Sequence, residues 1–332
     1  MKVYKALVAA GLCVCMALGM TGCGNDALDG SQIVAAVGEK EMTLGEANFL
    51  LRYQQVQTES YYESLVGEGF YDMDLYGDGT TYSQVFKEDV MDQMQEYYIL
   101  EEKAADYGIV LTDEETAAIT EAAEAFLDAN EKATKEQMTA DQETVERVLT
   151  LMTIGTKVSA KVKEEAAVTV TDEEAAQRAF TYITISKGSD DSALTDEEIQ
   201  EKKEILAGVA EQVKAGNEME GAAVEAELTA YPVTYGEGNS DYYAAELISA
   251  VDALKEGEVT EVIETDSALY LAQLTSEFDE EATESRKETL KTTKENEYYN
   301  GVLETWKEEY PLTVVDSVWE KVVFNRSYDA AQ

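Results

Sequence analysis

The chain changes character at Phe180-Thr181-Tyr182-Ile183-Thr184-Ile185, where β-branched and aromatic residues follow one another. Such a composition is typical of a β-strand. Before it, between about 44 and 166, apolar residues recur at helical spacing, and this spacing returns between about 279 and 309. We therefore predict an α+β protein, mostly helical, in which a smaller α+β unit is inserted between N- and C-terminal helical segments.

The inserted unit is predicted to span 171–277, because strand and helix patterns alternate within it. A Gly-rich turn is expected at 236–240. The predicted helices cover 196–215, 218–226 and 243–254, and the extended segments cover 180–185, 228–235, 259–264 and 267–275.

The helical unit is predicted to span 33–170 and to be completed by 278–332. A short strand is expected at 33–37, and the predicted helices cover 44–65, 82–107, a stretch from about 113, and 135–166. A Thr followed three residues later by Glu, the capping-box spacing, marks helix starts after Thr43, Thr112, Thr171 and Thr195. The final segment, 312–324, reads as a strand that pairs with 33–37 and closes the helical unit around the insertion.

The first residues have the pattern of a bacterial export signal. Lys2 and Lys5 precede an apolar run over 6–18, which is shorter than the roughly 20 residues that span a bilayer. The run ends in Gly19-Met20-Thr21-Gly22-Cys23, which resembles a lipobox with Met in place of the usual Leu. We predict a signal peptide at 1–22, lipidation of Cys23, a tether at 23–32 and an extracytoplasmic protein held on the outer face of the cell membrane. An ordinary secretory signal with an incidental cysteine is the alternative.

The composition narrows the possible functions. Histidine is absent from all 332 residues, which excludes a Ser-His-Asp triad, a Cys-His pair and histidine-ligated zinc. The formal net charge is −44, and −46 without the two lysines of the predicted signal, so nucleic acid is not an expected partner. We expect neither a cofactor nor a metal. The acidic surface favours solubility, and a preference for cationic clients or divalent ions is the sharper alternative.

One loop invites comparison with a calcium site. Asp72, Asp74 and Asp78 have part of the spacing of a calcium-binding loop, but Tyr76 takes a ligand position and Ser83 stands where a bidentate Glu is needed. We therefore interpret 67–81 as an ordinary loop.

Several segments resemble the PrsA/SurA-type foldases, which carry parvulin-like prolyl isomerase domains. The resemblance covers most of 33–310 and is most specific in Leu254-Lys255-Glu256-Gly257-Glu258-Val259-Thr260-Glu261-Val262-Ile263. Two further stretches carry it, Val34 to Glu46 and Val90 to Glu115. The resemblance implies that 33–170 and 278–332 form a chaperone domain and that 171–277 is parvulin-like.

The resemblance also indicates site residues, with departures from the family pattern. Parvulins usually carry one histidine in the first strand and one in the last, where this chain has Tyr182 and Tyr270. The residues that line the substrate pocket correspond to Tyr243 and Leu247. The segment from 223 to 235 looks shortened and offers no equivalent of the acidic or cysteine residue. The Tyr182 and Tyr270 hydroxyls can hydrogen-bond a twisted amide carbonyl, or the two rings can simply fill a core.

These observations predict a membrane-anchored chaperone of foldase type for newly exported, unfolded polypeptides. Two alternatives stay open: an active peptidyl-prolyl cis-trans isomerase and a non-enzymatic surface or solute-binding lipoprotein. A homodimer is compatible with the sequence. The aromatic residues of the helical unit are candidates either for client contact or for packing; these are Tyr61, Tyr62, Phe70, Tyr71, Tyr76 and Tyr82.

Overall fold

The computed structural model describes residues 28–67, 69–75, 77–189 and 193–324, together with the backbone of two short strands at 16–18 and 328–330. Cys23 and most of the predicted signal lie outside these residues. The fold is α+β and mostly helical, as predicted. The chain divides into two compact units, which we call unit 1 (1–167 and 296–332) and unit 2 (168–295).

The helices and strands have the following bounds. The helices are α1 (Leu44–Val66), α2 (Tyr82–Lys103), α3 (Asp113–Ala129), α4 (Lys132–Gln137), α5 (Gln142–Glu165), α6 (Asp172–Ala175), α7 (Asp196–Lys214), α8 (Met219–Glu225), α9 (Ala245–Asp252), α10 (Glu280–Glu309) and α11 (Asp316–Trp319). The strands are β1 (Met16–Leu18), β2 (Ile33–Val37), β3 (Lys40–Thr43), β4 (Gln177–Ser186), β5 (Ala230–Gly236), β6 (Ile263–Glu264), β7 (Ala268–Ser276), β8 (Leu312–Val314) and β9 (Tyr328–Ala330). No helix among the described residues is long and apolar enough to cross a membrane.

The predicted capping boxes form at all four positions. Each Thr side chain accepts a hydrogen bond from the backbone N–H three residues later, and the Glu at that position reaches back to the N–H of the Thr. These bonds satisfy N–H groups that have no partner within the helix, and the carboxylate lies at the positive end of the helix dipole. The local sequence therefore determines where α1, α3, α6 and α7 begin.

Unit 1 is built around one core to which distant parts of the chain contribute. Phe49 and Leu50 of α1, Met94 of α2 and Phe126 of α3 are almost completely buried there. The last turns of α10 add a helical stripe of buried side chains, Tyr299, Leu303 and Trp306. Residues of the predicted tether also contact this unit, because the carbonyl of Gly30 accepts the N–H of Gly45 at 2.9 Å.

The predicted pairing of 33–37 with the C-terminal segment is confirmed, but the length of the final strand is wrong. β2 pairs antiparallel with β8 and places Ala35 opposite Val314. The strand ends there, because the chain turns into α11 and buries Trp319 and Val322 in the core. Lys87 holds this turn, since its Nζ donates to the carbonyls of Trp319 at 2.8 Å and Val322 at 3.0 Å.

Two predicted helices are shorter than their periodicity suggested. α2 ends at Lys103 and is followed by turns to Gly108, which has a positive φ of 63°. The helix predicted over 135–166 is divided into α4 and α5. Thr139 adopts a φ of 52° between them, and the Asp141 side chain then caps α5 by accepting the N–H of Thr144 at 2.8 Å.

In the loop compared with a calcium site, the Asp74 carboxylate binds backbone N–H groups of the loop itself. The Asp74 carboxylate accepts the N–H groups of Gly77 at 2.6 Å, Asp78 at 3.2 Å and Gly79 at 2.8 Å. Within the described residues, no group of three or more acidic or cysteine side chains is arranged to hold a metal ion.

Unit 2 contains an antiparallel four-stranded sheet with the order β5-β4-β7-β6. One face is covered by α7 and α8, which bury Ile183 and Leu271. The opposite face carries the core around Phe180 and Leu274, which the short helix α9 covers. β5 is an edge strand, and Pro232 lies in its middle, opposite Thr181. Because α9 has only eight residues, part of this second face stays accessible.

A network of charged groups joins three helices of unit 1. Glu46, which is 6% exposed, accepts the Tyr98 hydroxyl at 3.1 Å and Nε of Arg147 at 3.1 Å. The two Nη atoms of Arg147 donate to Glu101, one of them at 2.9 Å. Burial alone would raise the pKa of Glu101, but hydrogen bonds and charges of Arg147 and Lys40 outweigh it and hold this pKa below its usual 4.5. The network thereby ties α1, α2 and α5 together.

Replacing Arg147 by Met is expected to destabilise unit 1 by about 2–3 kcal/mol. Loss of one partner of a buried ion pair costs about 3–5 kcal/mol, and the 31% exposure of the Arg147 side chain reduces that cost. Urea unfolding followed by tryptophan fluorescence measures it, because both tryptophans, Trp306 and Trp319, belong to unit 1. The depressed pKa of Glu101 contributes stability above pH 4.5 that is lost on acidification. The free energy of unfolding of the variant should therefore depend less on pH in the acid range.

The matched control is Lys132→Met. Lys132 pairs with Glu136, but both side chains are largely exposed, so its loss should change stability by less than about 0.5 kcal/mol. An equal effect of the two substitutions would contradict a special role for the Arg147 network.

Candidate functional site

Four tyrosines share the open face of the unit 2 sheet. Side chains alternate along a strand, so Phe180 and Tyr182 of β4 point to the face that α9 partly covers. Tyr231 of β5 stands directly opposite Tyr182, and Tyr270 of β7 stands opposite Thr184, one diagonal step away. Tyr243 lies just before α9. We call Tyr182, Tyr231, Tyr243 and Tyr270 the tyrosine face.

Tyr182 is at the centre of this cluster. Its ring centroid lies 5.7 Å from that of Tyr231, 6.1 Å from that of Tyr243 and 6.5 Å from that of Tyr270. Such separations are within the range of favourable aromatic pairs. The structure therefore brings together the two tyrosines predicted at the parvulin histidine positions and one of the two predicted pocket residues.

The tyrosine face rests on a buried layer. Phe180 has no exposed surface and lies 5.4 Å from Tyr243 and 5.7 Å from Tyr182, centroid to centroid. Leu247, the second predicted pocket residue, is 1% exposed and belongs to this layer together with Val251. Leu247 therefore supports the tyrosine face from beneath, whereas Tyr243 is part of it.

The hydroxyl groups of the tyrosine face are free to bind. Tyr231 is 45% exposed, and the other three tyrosines are half-buried. Within the described part of the chain, none of the four hydroxyls has a hydrogen-bond partner. In contrast, the neighbouring Tyr235 hydroxyl donates to Asp252 at 2.8 Å.

Two hydroxyls of the tyrosine face, those of Tyr182 and Tyr243, are held in the neutral form by their surroundings. Burial, and then the nearby Tyr270 and Tyr231, raise the pKa of Tyr182. Burial, and then Tyr182, raise the pKa of Tyr243. A neutral phenol both donates and accepts a hydrogen bond, so the face presents aromatic surface and amphoteric polar groups side by side.

Tyr231 was missed by the sequence reasoning. Its strand was predicted within 228–235, and the alternation of Tyr231 with Val233 and Tyr235 is the signal that places these side chains on one face. Its position opposite Tyr182 depends on the register of β4 and β5, which the sequence of neither strand specifies. The segment that looked shortened contains the end of α8, a turn with Glu227 at a φ of 58°, and β5.

The aromatic residues of unit 1 mostly pack. Phe70, Tyr71 and Tyr82 are buried, and Phe324 stacks on Tyr71 with centroids 4.4 Å apart. Packing, the alternative interpretation, therefore holds for these three. Tyr62 is half-buried and Tyr61 is 61% exposed, while Tyr76 lies outside the described residues.

A second concave region lies in unit 1, with a volume of about 980 Å³. The basic side chains that line it are engaged in contacts within the protein. Arg147 binds Glu46, Lys132 pairs with Glu136, and Lys135 donates to the carbonyl of Leu127 at 2.7 Å. The basic groups of this concave region are therefore already paired, whereas the hydroxyls of the tyrosine face are not.

No family model matches the chain, and no curated protein matches it. Among solved structures, it is similar to one from work on the SurA-like chaperones PEB4 and Cj1289 of Campylobacter jejuni, at 10% identity over 85% of this chain and 99% of the other, with a TM-score of 0.32. It is also similar to PrsA of Bacillus cereus, at 16% identity over 89% and 98% with a TM-score of 0.31. A third similar structure is PrsA of Streptococcus pneumoniae, at 20% identity over 75% of this chain and 97% of the other, with a TM-score of 0.31. These proteins belong to the group that the sequence resembles.

Proposed function

We propose that the protein is an extracytoplasmic chaperone of foldase type, which binds unfolded, newly exported polypeptides through the tyrosine face and is anchored to the membrane by lipid on Cys23. The solved structures to which it is similar are named as chaperones, a foldase and peptidylprolyl isomerases. The observation that carries the proposal is the cluster of half-exposed tyrosines with unpartnered hydroxyls. We further propose that 33–170 with 278–332 form the chaperone domain and that 171–277 is the parvulin-like domain.

An unfolded polypeptide exposes apolar side chains and backbone amides together. Tyrosine rings cover apolar groups, and their hydroxyls hydrogen-bond to N–H and C=O groups without a strict sequence requirement. Because Phe180 packs beneath Tyr182 and Tyr243, these two rings lose little side-chain freedom on binding. The tyrosine face is thus suited to many different clients.

The proposed function does not require catalysis. The two positions where parvulins usually carry histidine hold Tyr182 and Tyr270, and the chain has no histidine to replace them. One observation favours isomerisation as a second function: both hydroxyls lack partners in the described part of the chain and are available to a twisted prolyl amide.

Replacing Tyr231 and Tyr270 by Ser should weaken client binding about tenfold. Each aromatic contact contributes about 0.5–1.5 kcal/mol, and two of them correspond to roughly this factor. Fluorescence anisotropy of a labelled, permanently unfolded protein measures the dissociation constant, and circular dichroism checks that the variant is folded. The matched control replaces Tyr242 and Tyr298 by Ser; these are also exposed, at 86% and 42%, but lie outside the tyrosine face. Equal weakening by both double variants would argue against a site at this face.

In a protease-coupled prolyl isomerisation assay, we expect the protein to leave the uncatalysed rate unchanged, because both histidine positions are substituted. The test includes the Tyr182→Phe and Tyr270→Phe double variant, which removes only two hydroxyl groups. Acceleration by the unmodified protein that the double variant loses, with client binding retained, would instead assign catalysis to these hydroxyls.

Replacing Cys23 by Ala should abolish lipid attachment and release the protein from the membrane. The thiol at Cys23 is the only one outside the predicted signal, so no other cysteine can substitute for it. Incorporation of a fatty-acid analogue and partition into detergent measure the effect. Cys15→Ala is the control, since it alters a cysteine within the same amino-terminal segment. Unchanged lipid incorporation in the Cys23 variant would contradict the proposed anchor.

A further inference from the structure

Several aromatic rings elsewhere in the protein have one of its own lysine or arginine side chains over them. In unit 1, Nζ of Lys103 lies 4.9 Å from the ring centroid of Tyr310, and the Arg147 guanidinium lies 5.3 Å from that of Tyr98. Further pairs place Lys87 over Trp319, Lys103 over Trp306, Lys163 over Tyr299, Arg52 over Phe324 and Arg178 over Tyr235. A cation over an aromatic ring within about 6 Å is attracted by the negative face of the ring.

The tyrosine face is different. Within the described residues, no lysine or arginine lies over the ring of Tyr182, Tyr231, Tyr243 or Tyr270. Unit 2 supplies few cations, since 168–295 contains 31 acidic and 10 basic residues. Arg178, which covers the adjacent Tyr235, is itself bound to Asp252 at 2.8 Å. Four clustered rings in a strongly acidic unit therefore lack the partner that other rings of this protein have.

We propose that the tyrosine face binds the lysine and arginine side chains of client polypeptides, so that the protein selects cationic segments. This inference rests on the proposed function and names its substrate class. Several rings that converge on one cation each add to the attraction, and the negative charge of unit 2 raises the local concentration of cationic segments.

The unpartnered hydroxyls favour binding of a cationic side chain over binding of an apolar one. An apolar side chain can pack against the rings, but any hydroxyl that it covers loses its hydrogen bonds to water without replacement, which is costly. A guanidinium has five N–H donors that phenol oxygens can accept while its plane stacks on the rings. The chemistry of the face therefore favours arginine most.

The test compares two unstructured peptides that differ only at two arginines, which are replaced by the neutral isostere citrulline in the second. Binding to the mature protein is measured by isothermal titration calorimetry at low salt and at about 0.5 M salt, where exposed charges are screened. We expect the arginine peptide to bind roughly five- to thirty-fold more tightly, and part of this preference to persist at high salt.

Two single variants test whether the preference for the arginine peptide arises at the tyrosine face. Tyr231→Leu should reduce the ratio of the two dissociation constants, whereas Tyr231→Phe, which keeps the ring and removes one of four hydroxyls, should retain most of it. Tyr242→Leu is the matched control, because Tyr242 is 86% exposed and lies beside the face in sequence but not in the cluster. Both Tyr231 and Tyr242 are exposed, so these variants should fold.

Each remaining outcome overturns a stated part of this inference. Equal affinity for both peptides would reject cation selection and leave the proposed function intact. Absence of binding by either peptide, and by the unfolded protein, would reject the proposed function itself. A preference that survives Tyr231→Leu and disappears at high salt would show general attraction to the acidic surface and would reject cation binding by the rings.

Discussion

The antiparallel pairing of β2 with β8 is the contact on which the organisation of the chain depends. It joins two segments that lie on either side of unit 2 in the sequence, and places Ala35 opposite Val314 and Val37 opposite Leu312. The entropic cost of closing such a long loop grows only logarithmically with its length, so a complete unit can be inserted between the two strands. The last turns of α10 and Trp319 follow unit 2 in the sequence and pack into the core of unit 1. This core therefore needs residues from both sides of unit 2.

Much of the architecture could be predicted from local sequence, for a physical reason. Capping boxes and the strand at 180–185 are short-range signals that act within a few residues, and the structure contains all of them. The break between α4 and α5 combines a local cap by Asp141 with a tertiary contact, since the Thr139 hydroxyl donates to the carbonyl of Gly45 at 3.1 Å. The end of β8 after Val314 depends on tertiary contacts such as those of Lys87 with the following turn. At the candidate site, family resemblance indicated Tyr182 and Tyr270, but the contribution of Tyr231 required the register between β4 and β5.

Similar residues have different roles in the two units because their surroundings differ. Phe70, Tyr71 and Tyr82 of unit 1 are enclosed among other rings and serve the core. Tyr182 and its neighbours lie on a sheet face that one short helix covers incompletely. One side of these rings therefore packs on buried residues, and the other side is accessible to solvent. The number of tyrosines in the sequence indicates neither role; the coverage of each surface decides it.

Pro232 in the edge strand β5 bears on how an extended polypeptide would be bound under the proposed function. An exposed sheet edge is a template on which another strand can add by backbone hydrogen bonds. Proline lacks the N–H donor in the middle of this edge, and the N–H of Gly236 is taken by the Asn239 side chain at 2.7 Å. This edge is therefore a poor template for strand addition, so a client bound as proposed would contact side chains rather than pair with β5. Such side-chain contacts are released more easily than a continuous ladder of backbone hydrogen bonds.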